Sequence, residues 1–162
     1  MPDQDRNAPT REQAKALDRL RTTARDLVSL TSTATKSQMR RPPRAGQWSA
    51  ALVLVHLADH ELVYSVRLRM MVAEHRPQLL AYDEAGWAER FGDLDTDPKE
   101  VLARFRVLRE ANVALLESLS VAEWGRVGVH EQRGEQTVEQ VVGLIAMHDQ
   151  NHLAQLRESL SA

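Results

Sequence analysis

Two histidines, His148 and His152, stand four residues apart in a segment whose apolar positions Val138, Val141, Ile145 and Leu156 recur at helical spacing. That spacing projects both rings from one helix face, about 40° apart. The apolar positions make it the face that packs inward. A buried imidazole without a hydrogen-bond partner costs about 1–3 kcal/mol, and one divalent cation partners both rings at once. His56 offers a third ring. Its surroundings, Ala50-Ala51-Leu52-Val53-Leu54-Val55-His56-Leu57-Ala58, are apolar on every side, so it is buried whichever way its helix rolls. Three uncharged imidazoles leave one or more positions of a divalent ion for other ligands, which is the arrangement of a catalytic rather than a structural centre. Zinc, nickel, cobalt and iron(II) all accept such a set. The competing reading is that the rings are packed and satisfied by water or carboxylates.

Other polar residues are placed around these three. Asp59 lies one turn from His56, where a carboxylate can accept the remaining ring N–H of a ligating histidine. Glu61 lies about 140° round the helix from His56. Both acids otherwise read as solvated surface groups. Asn112 interrupts an apolar stripe and reads as a register-fixing hydrogen-bonding residue. His130 precedes the last helical segment and is the candidate general acid or base, against the plainer reading of a surface loop histidine. His75, before Arg76-Pro77, reads as a helix C-terminal residue. Trp48, Trp87 and Trp124 read as packing anchors.

Four long segments must position these residues, and each opens with a cap. Thr10 with Gln13 forms a capping box ahead of Leu17, Leu20, Ala24 and Leu27. Ser49 caps a second helix reaching about Glu74, before Pro77, with Trp48 stapling onto Val53. Asp97-Pro98-Lys99-Glu100 opens a third, with the stripe Val101, Phe105, Leu108, Asn112, Leu115, Leu119. Thr137 with Gln140 opens the fourth. Strand signals are nearly absent, so the expected class is all-α, a four-helix bundle. The connections 36–48, 75–96 and 120–136 are long for an up-down bundle. The second is expected to hold a short helix around Glu84 to Phe91, and the third a turn started by Ser120 with Glu123. Residues 1–9 are expected to be a flexible N-terminus, and 10–162 a single domain. The basic run Arg40-Arg41-Pro42-Pro43-Arg44 reads as a solvated linker.

Composition narrows the function classes. The 162 residues include 43% hydrophobic, 27% charged and only 4% aromatic, so the core is built of Leu, Val, Ala and Met. A net charge of −2 argues against a general nucleic-acid partner. No apolar run approaches the roughly 20 residues of a membrane span, and the polar first nine residues do not resemble a secretory signal. A cytoplasmic location is the default expectation. There is no cysteine, which leaves His, Asp and Glu as the strong metal ligands and means that any thiol must arrive from solution.

Taken in order, Trp48-Ser49, His56-Leu57-Ala58-Asp59, Tyr82-Asp83-Glu84 with Trp87-Ala88, Val129-His130-Glu131-Gln132-Arg133-Gly134 and His148-Asp149-Gln150-Asn151-His152-Leu153-Ala154-Gln155-Leu156 resemble the DinB-like (YfiT-like) superfamily of bacterial four-helix proteins. The resemblance runs from about residue 10 to the end. It implies an up-down-down-up bundle, a homodimer, and one divalent ion, zinc or nickel before iron or cobalt, held by His56, His148 and His152. It also implies a metal-dependent transferase or hydrolase acting on a small electrophile, with a low-molecular-weight thiol such as bacillithiol or mycothiol as cosubstrate. The alternative is a non-catalytic metal- or ligand-binding stress protein. His60 departs from the family pattern, which has a small residue there, and stands as an extra ligand or a group beside one.

Overall fold

Short polar residues start the helices as their side chains dictate. In the computed structural model, which describes residues 9–92 and 97–161, Thr10 Oγ1 accepts the Gln13 N–H and Gln13 reaches back to the Thr10 N–H. This box opens α1 (Arg11–Thr31). A second box, Thr35 with Gln38, opens the short α2 (Lys36–Arg40) inside the linker. Ser49 caps α3 (Ala50–Ala73). Asp97, with Pro98 in the first turn, caps α5 (Pro98–Glu117). Ser120 and Glu123 open α6 (Val121–Trp124). Thr137 and Gln140 exchange hydrogen bonds at the start of α7 (Val138–Ser161). The expected short helix is α4 (Glu84–Gly92). The flexible N-terminus expected over residues 1–9 lies, except for Pro9, outside the described residues.

The near-absence of strands was an expectation that the structure corrects. A three-stranded sheet, β1 (Gln78–Leu79), β2 (Val127–His130) and β3 (Gly134–Thr137), joins two of the long connections. β1 pairs parallel with β2, and β2 antiparallel with β3. Gly134 at the hairpin turn has φ +73°, where a Cβ would be strained. Strands of two to four residues carry too little alternation to be read from sequence. Arg126, just before β2, donates from Nε to the Met71 carbonyl at 2.8 Å and from Nη2 to the Glu74 carbonyl at 2.6 Å. It thereby satisfies the end of α3, which has no glycine cap.

The helix order follows from the side-chain pairs. Asp59 meets Arg104, Glu61 meets Arg109 and Ser65 meets Asn112, so α3 and α5 run parallel. Thr23 reaches Asp149 and Asp26 meets Arg157, so α1 and α7 run parallel too. The His56–His152 and His60–His148 ring contacts set α3 antiparallel to α7. The bundle is therefore up-down-down-up, with α1 packed on α5 and α7, and α3 on α5 and α7. A parallel pair needs a connection that climbs back along the helices, which is why 74–97 is long. Helix α4 on this crossover packs against α3. With α4, α5 and α7 around it, α3 is covered on most sides, which explains why it is apolar nearly all round rather than striped.

Two apolar clusters form the core. One gathers Leu17, Leu20, Leu68, Met71, Leu116, Trp124 and Ile145. The other, at the end where α3 begins, gathers Leu27, Met39, Leu54, Phe105, Leu153 and Leu156. The expected α5 stripe is rotated in the structure. Leu108 is only half-buried, and Arg109 takes the core position beside it. No described helix is long and apolar enough to cross a membrane.

Candidate metal centre

His56 sits in the second turn of α3, and His148 and His152 are one turn apart in the middle of α7. The antiparallel contact of α3 with α7 brings them face to face. One ring nitrogen from each lies within 4.8 Å of the other two. His56 Nε2 and His148 Nε2 are 2.9 Å apart. Ligands about 2.0–2.1 Å from one ion at angles near 90–109° would lie about 2.9–3.4 Å from each other, so this spacing fits a shared cation.

The electrostatics suit ligation as well. Burial, and then the neighbouring His152, lower the pKa of His56 to about 4. Burial, reinforced by His152, His56, Arg109 and Arg133, lowers that of His148 to about 3. His152 is lowered by burial, against the opposing influence of its Gln155 hydrogen bond, Asp149 and Glu84. All three rings are therefore uncharged at neutral pH, as metal binding requires. His152 Nδ1 lies 2.8 Å from Gln155 Oε1. Because that amide oxygen only accepts, Nδ1 carries the ring hydrogen and Nε2 presents its lone pair. The His148 Nδ1 is buried without a partner.

These observations fit a divalent ion held by His56, His148 and His152. Trp48, whose ring was expected to act as a staple, also walls the site. It packs 5.2 Å from the His56 ring and lies nearly parallel to the His152 ring at 6.2 Å. A cavity of about 400 Å³ reaches His152 and is lined by Gln47, Trp48, Gln155 and Glu158 among others.

The remaining sequence candidates are placed differently. His60 stacks on His148 at 3.7 Å with planes 7° apart, but it is not in the convergent group. Its Nδ1 is buried and unpartnered. Burial, and then the charges of His148, His56, Arg109 and His152, hold it well below the ordinary histidine range. Asp59, read as a solvated acid or an acceptor for a ring N–H, is instead buried and bonded to Arg104 Nη2 at 3.0 Å. Glu61 is likewise buried rather than solvated, and it accepts from Arg109 and Asn112. Asn112 makes the interhelical hydrogen bonds expected of a register-fixing residue. It donates to Glu61 at 2.7 Å and Ser65 at 2.8 Å, and accepts from Arg69 at 2.9 Å.

His130 ends β2 and is buried rather than on a surface loop. Its Nδ1 accepts the Gln132 N–H at 3.1 Å, so Nε2 holds its proton. It lies outside the convergent group. The neighbouring Arg133 reaches toward the histidines and helps to lower the pKa of His148. It donates to the Tyr64 hydroxyl at 3.3 Å, and the Tyr64 ring lies 4.4 Å from His60. His75 is exposed beyond the end of α3.

Gln155 was missed from sequence, although His152-x-x-Gln155 is an i, i+3 pair that places both side chains on one helix face. Arg133 lies within the Val129–Gly134 motif of the resemblance but had no role assigned, since a short hairpin had first to be recognised.

The sequence profile of the DinB superfamily matches residues 19–156. The Bacillus subtilis protein named "Putative metal-dependent hydrolase YfiT" is 32% identical over 125 residues, covering 76% of this chain and 70% of that protein. A relative of the same description from Bacillus licheniformis is 28% identical over 151 residues, covering 93% of this chain and 86% of its own. The solved structure of YfiT, described as a probable metal-dependent hydrolase with an unusual four-helix bundle topology, superposes with a TM-score of 0.85 at 27% identity. That match covers 98% of this chain and 90% of YfiT. The four-helix bundle protein TT2238 shares the fold with a TM-score of 0.61 at 23% identity, over 90% of this chain and 98% of its own.

Proposed function

Since the chain belongs to the DinB superfamily, we propose that it is a metal-dependent enzyme that transfers or hydrolyses a group on a small electrophile, through one divalent ion held by His56, His148 and His152. The carrying observation is the convergence of three uncharged imidazole nitrogens from two helices, which leaves coordination positions for a reactant. His56, His148 and His152 would hold the ion, which would supply Lewis-acid chemistry and lower the pKa of a coordinated water or thiol. Gln155 keeps the His152 lone pair aimed at the site. Trp48 shields one side of the rings from water, and the cavity beside His152 admits a small molecule. Arg133 and Tyr64 place a cation and a hydroxyl beside the stacked His60 and His148. His130, through Nε2, is the proposed proton carrier.

Absence of cysteine supports a low-molecular-weight thiol, bacillithiol or mycothiol, as cosubstrate rather than a protein nucleophile. Zinc or nickel is the proposed ion. A homodimer belongs to the same reading.

The test is elemental analysis of protein purified without a histidine tag. It is followed by hydrolysis and thiol-conjugation assays of the metal-loaded and chelator-treated forms. One bound ion with chelator-sensitive turnover is expected. Bound metal with no turnover on either panel would favour the non-catalytic binding protein. No metal would leave the histidines as packing residues and end the proposal.

A further inference from the structure

Buried inside the bundle, Arg109 on α5 is only 2% exposed, yet it carries a full charge. Its Nη1 donates to the Leu20 carbonyl of α1 at 3.1 Å and to Asp149 Oδ2 of α7 at 2.6 Å. Its Nη2 donates to Asp149 Oδ1 at 3.2 Å and to Glu61 Oε2 of α3 at 2.7 Å. One guanidinium therefore joins all four long helices. Glu61 is further held through its other oxygen by Asn112, which also binds Ser65.

The two carboxylates sit where the histidines are. Asp149 follows His148 and lies three residues before His152. Glu61 follows His60 and lies five residues after His56. Sliding one helix by a residue moves its side chains by about 1.5 Å and turns them by about 100°, whereas ligand distances must hold to about 0.2 Å. Apolar contacts are non-directional and tolerate small slides. A fork of N–H donors between two carboxylates does not. Buried ion pairs are weak contributors to net stability and their best-attested role is specificity of register.

We propose that Arg109, with Glu61 and Asp149, is a positioning residue of the metal centre, locking the slide and roll of α3 against α7 so that the three ring nitrogens converge. This rests on the proposed metal site. The experiment compares cobalt(II) and zinc(II) affinity, by chelator competition, in the parent, in the Glu61→Gln/Arg109→Met/Asp149→Asn triple variant and in Arg109→Lys. A control, Leu116→Ala in the other core cluster, supplies plain destabilisation.

The triple variant removes the charges together and leaves no uncompensated buried ion. Expected is a folded, helical protein whose metal affinity falls about 10- to 100-fold, with an altered cobalt(II) visible spectrum. Arg109→Lys, whose single ammonium cannot span both carboxylates and the carbonyl, should show an intermediate loss. Leu116→Ala should lower the melting temperature while leaving affinity and spectrum unchanged. Parental affinity and spectrum in the folded triple variant overturn the proposal. If the triple variant fails to fold, parental affinity in Arg109→Lys overturns it. An equal loss of affinity in Leu116→Ala also overturns it. Metal binding by the parent is scored separately, so its absence identifies a failure of the proposed function itself.

Discussion

Acidifying the metal-free protein should destabilise it, and the buried histidines set the window. His56 titrates near 4 in the fold against 6.5 in the open chain. Above pH 6.5 neither state takes the proton, so stability does not depend on this group. Between 6.5 and 4 the unfolded chain binds a proton that the folded one refuses, and stability is lost as pH falls. Below 4 both states are protonated and the loss levels off. At pH 5 the loss from His56 is about 2 kcal/mol. His148, held near 3 and partly exposed, adds a loss of the same sign, discounted for solvent screening. The pair together costs about 2–4 kcal/mol at pH 5, a large share of a typical margin of about 5–15 kcal/mol.

The acids Asp59 and Asp149 act oppositely, because burial raises them in the fold. A variant must therefore isolate the histidine share. Urea unfolding in a chelating buffer at pH 7.5, 6 and 5 measures the effect, with His56→Gln as comparison. That variant should lose about 2 kcal/mol less over the interval. Superimposable pH dependences in parent and variant would refute the reasoning.

Three further outcomes test the centre. His148→Ala or His152→Ala should bind far less metal while keeping its far-UV helicity, since the helices rest on apolar packing; full occupancy by elemental analysis would remove that residue from the ligand set. Gln155→Leu should weaken metal binding about tenfold and release the His152 tautomer, seen as a change in its ring nitrogen shifts by NMR; unchanged shifts would deny Gln155 the role. A small thiol should perturb the visible spectrum of the cobalt(II) form, and not that of cobalt-treated His56→Ala; indifference to thiols would indicate a closed centre.

Legibility in the sequence followed the range of the signals. Thr10 with Gln13, Ser49, Asp97-Pro98 and Thr137 with Gln140 are local devices, and all of them start helices where expected. The histidine pair on α7 was readable because its i, i+4 spacing fell on an apolar face. The sheet was not, because strands of two to four residues pair across just over fifty positions, from Leu79 to His130. Glu61, Arg109 and Asp149 were opaque for a different reason. Each looks like a surface charge by type, and only their meeting across three helices satisfies them. The period of α5 gave a hint, since Phe105, Arg109, Asn112 and Leu116 continue one face as well as Leu108 and Leu115 continue its neighbour.

The topology shows why such a network is useful at this site. The three convergent histidines come from α3 and α7, which are antiparallel neighbours, but neither is joined to the other by a turn. α3 leads by a long crossover to its parallel partner α5, and α5 leads through α6 and the hairpin to α7. No tight loop fixes how far α3 sits along α7, so the register must come from within the bundle. The same connections bring polar groups to the histidines. Glu84 is near enough to raise His152, and Arg133 near enough to lower His148. The crossover and the hairpin thus supply charges around rings whose relative placement, on the proposal above, the buried ion cluster fixes.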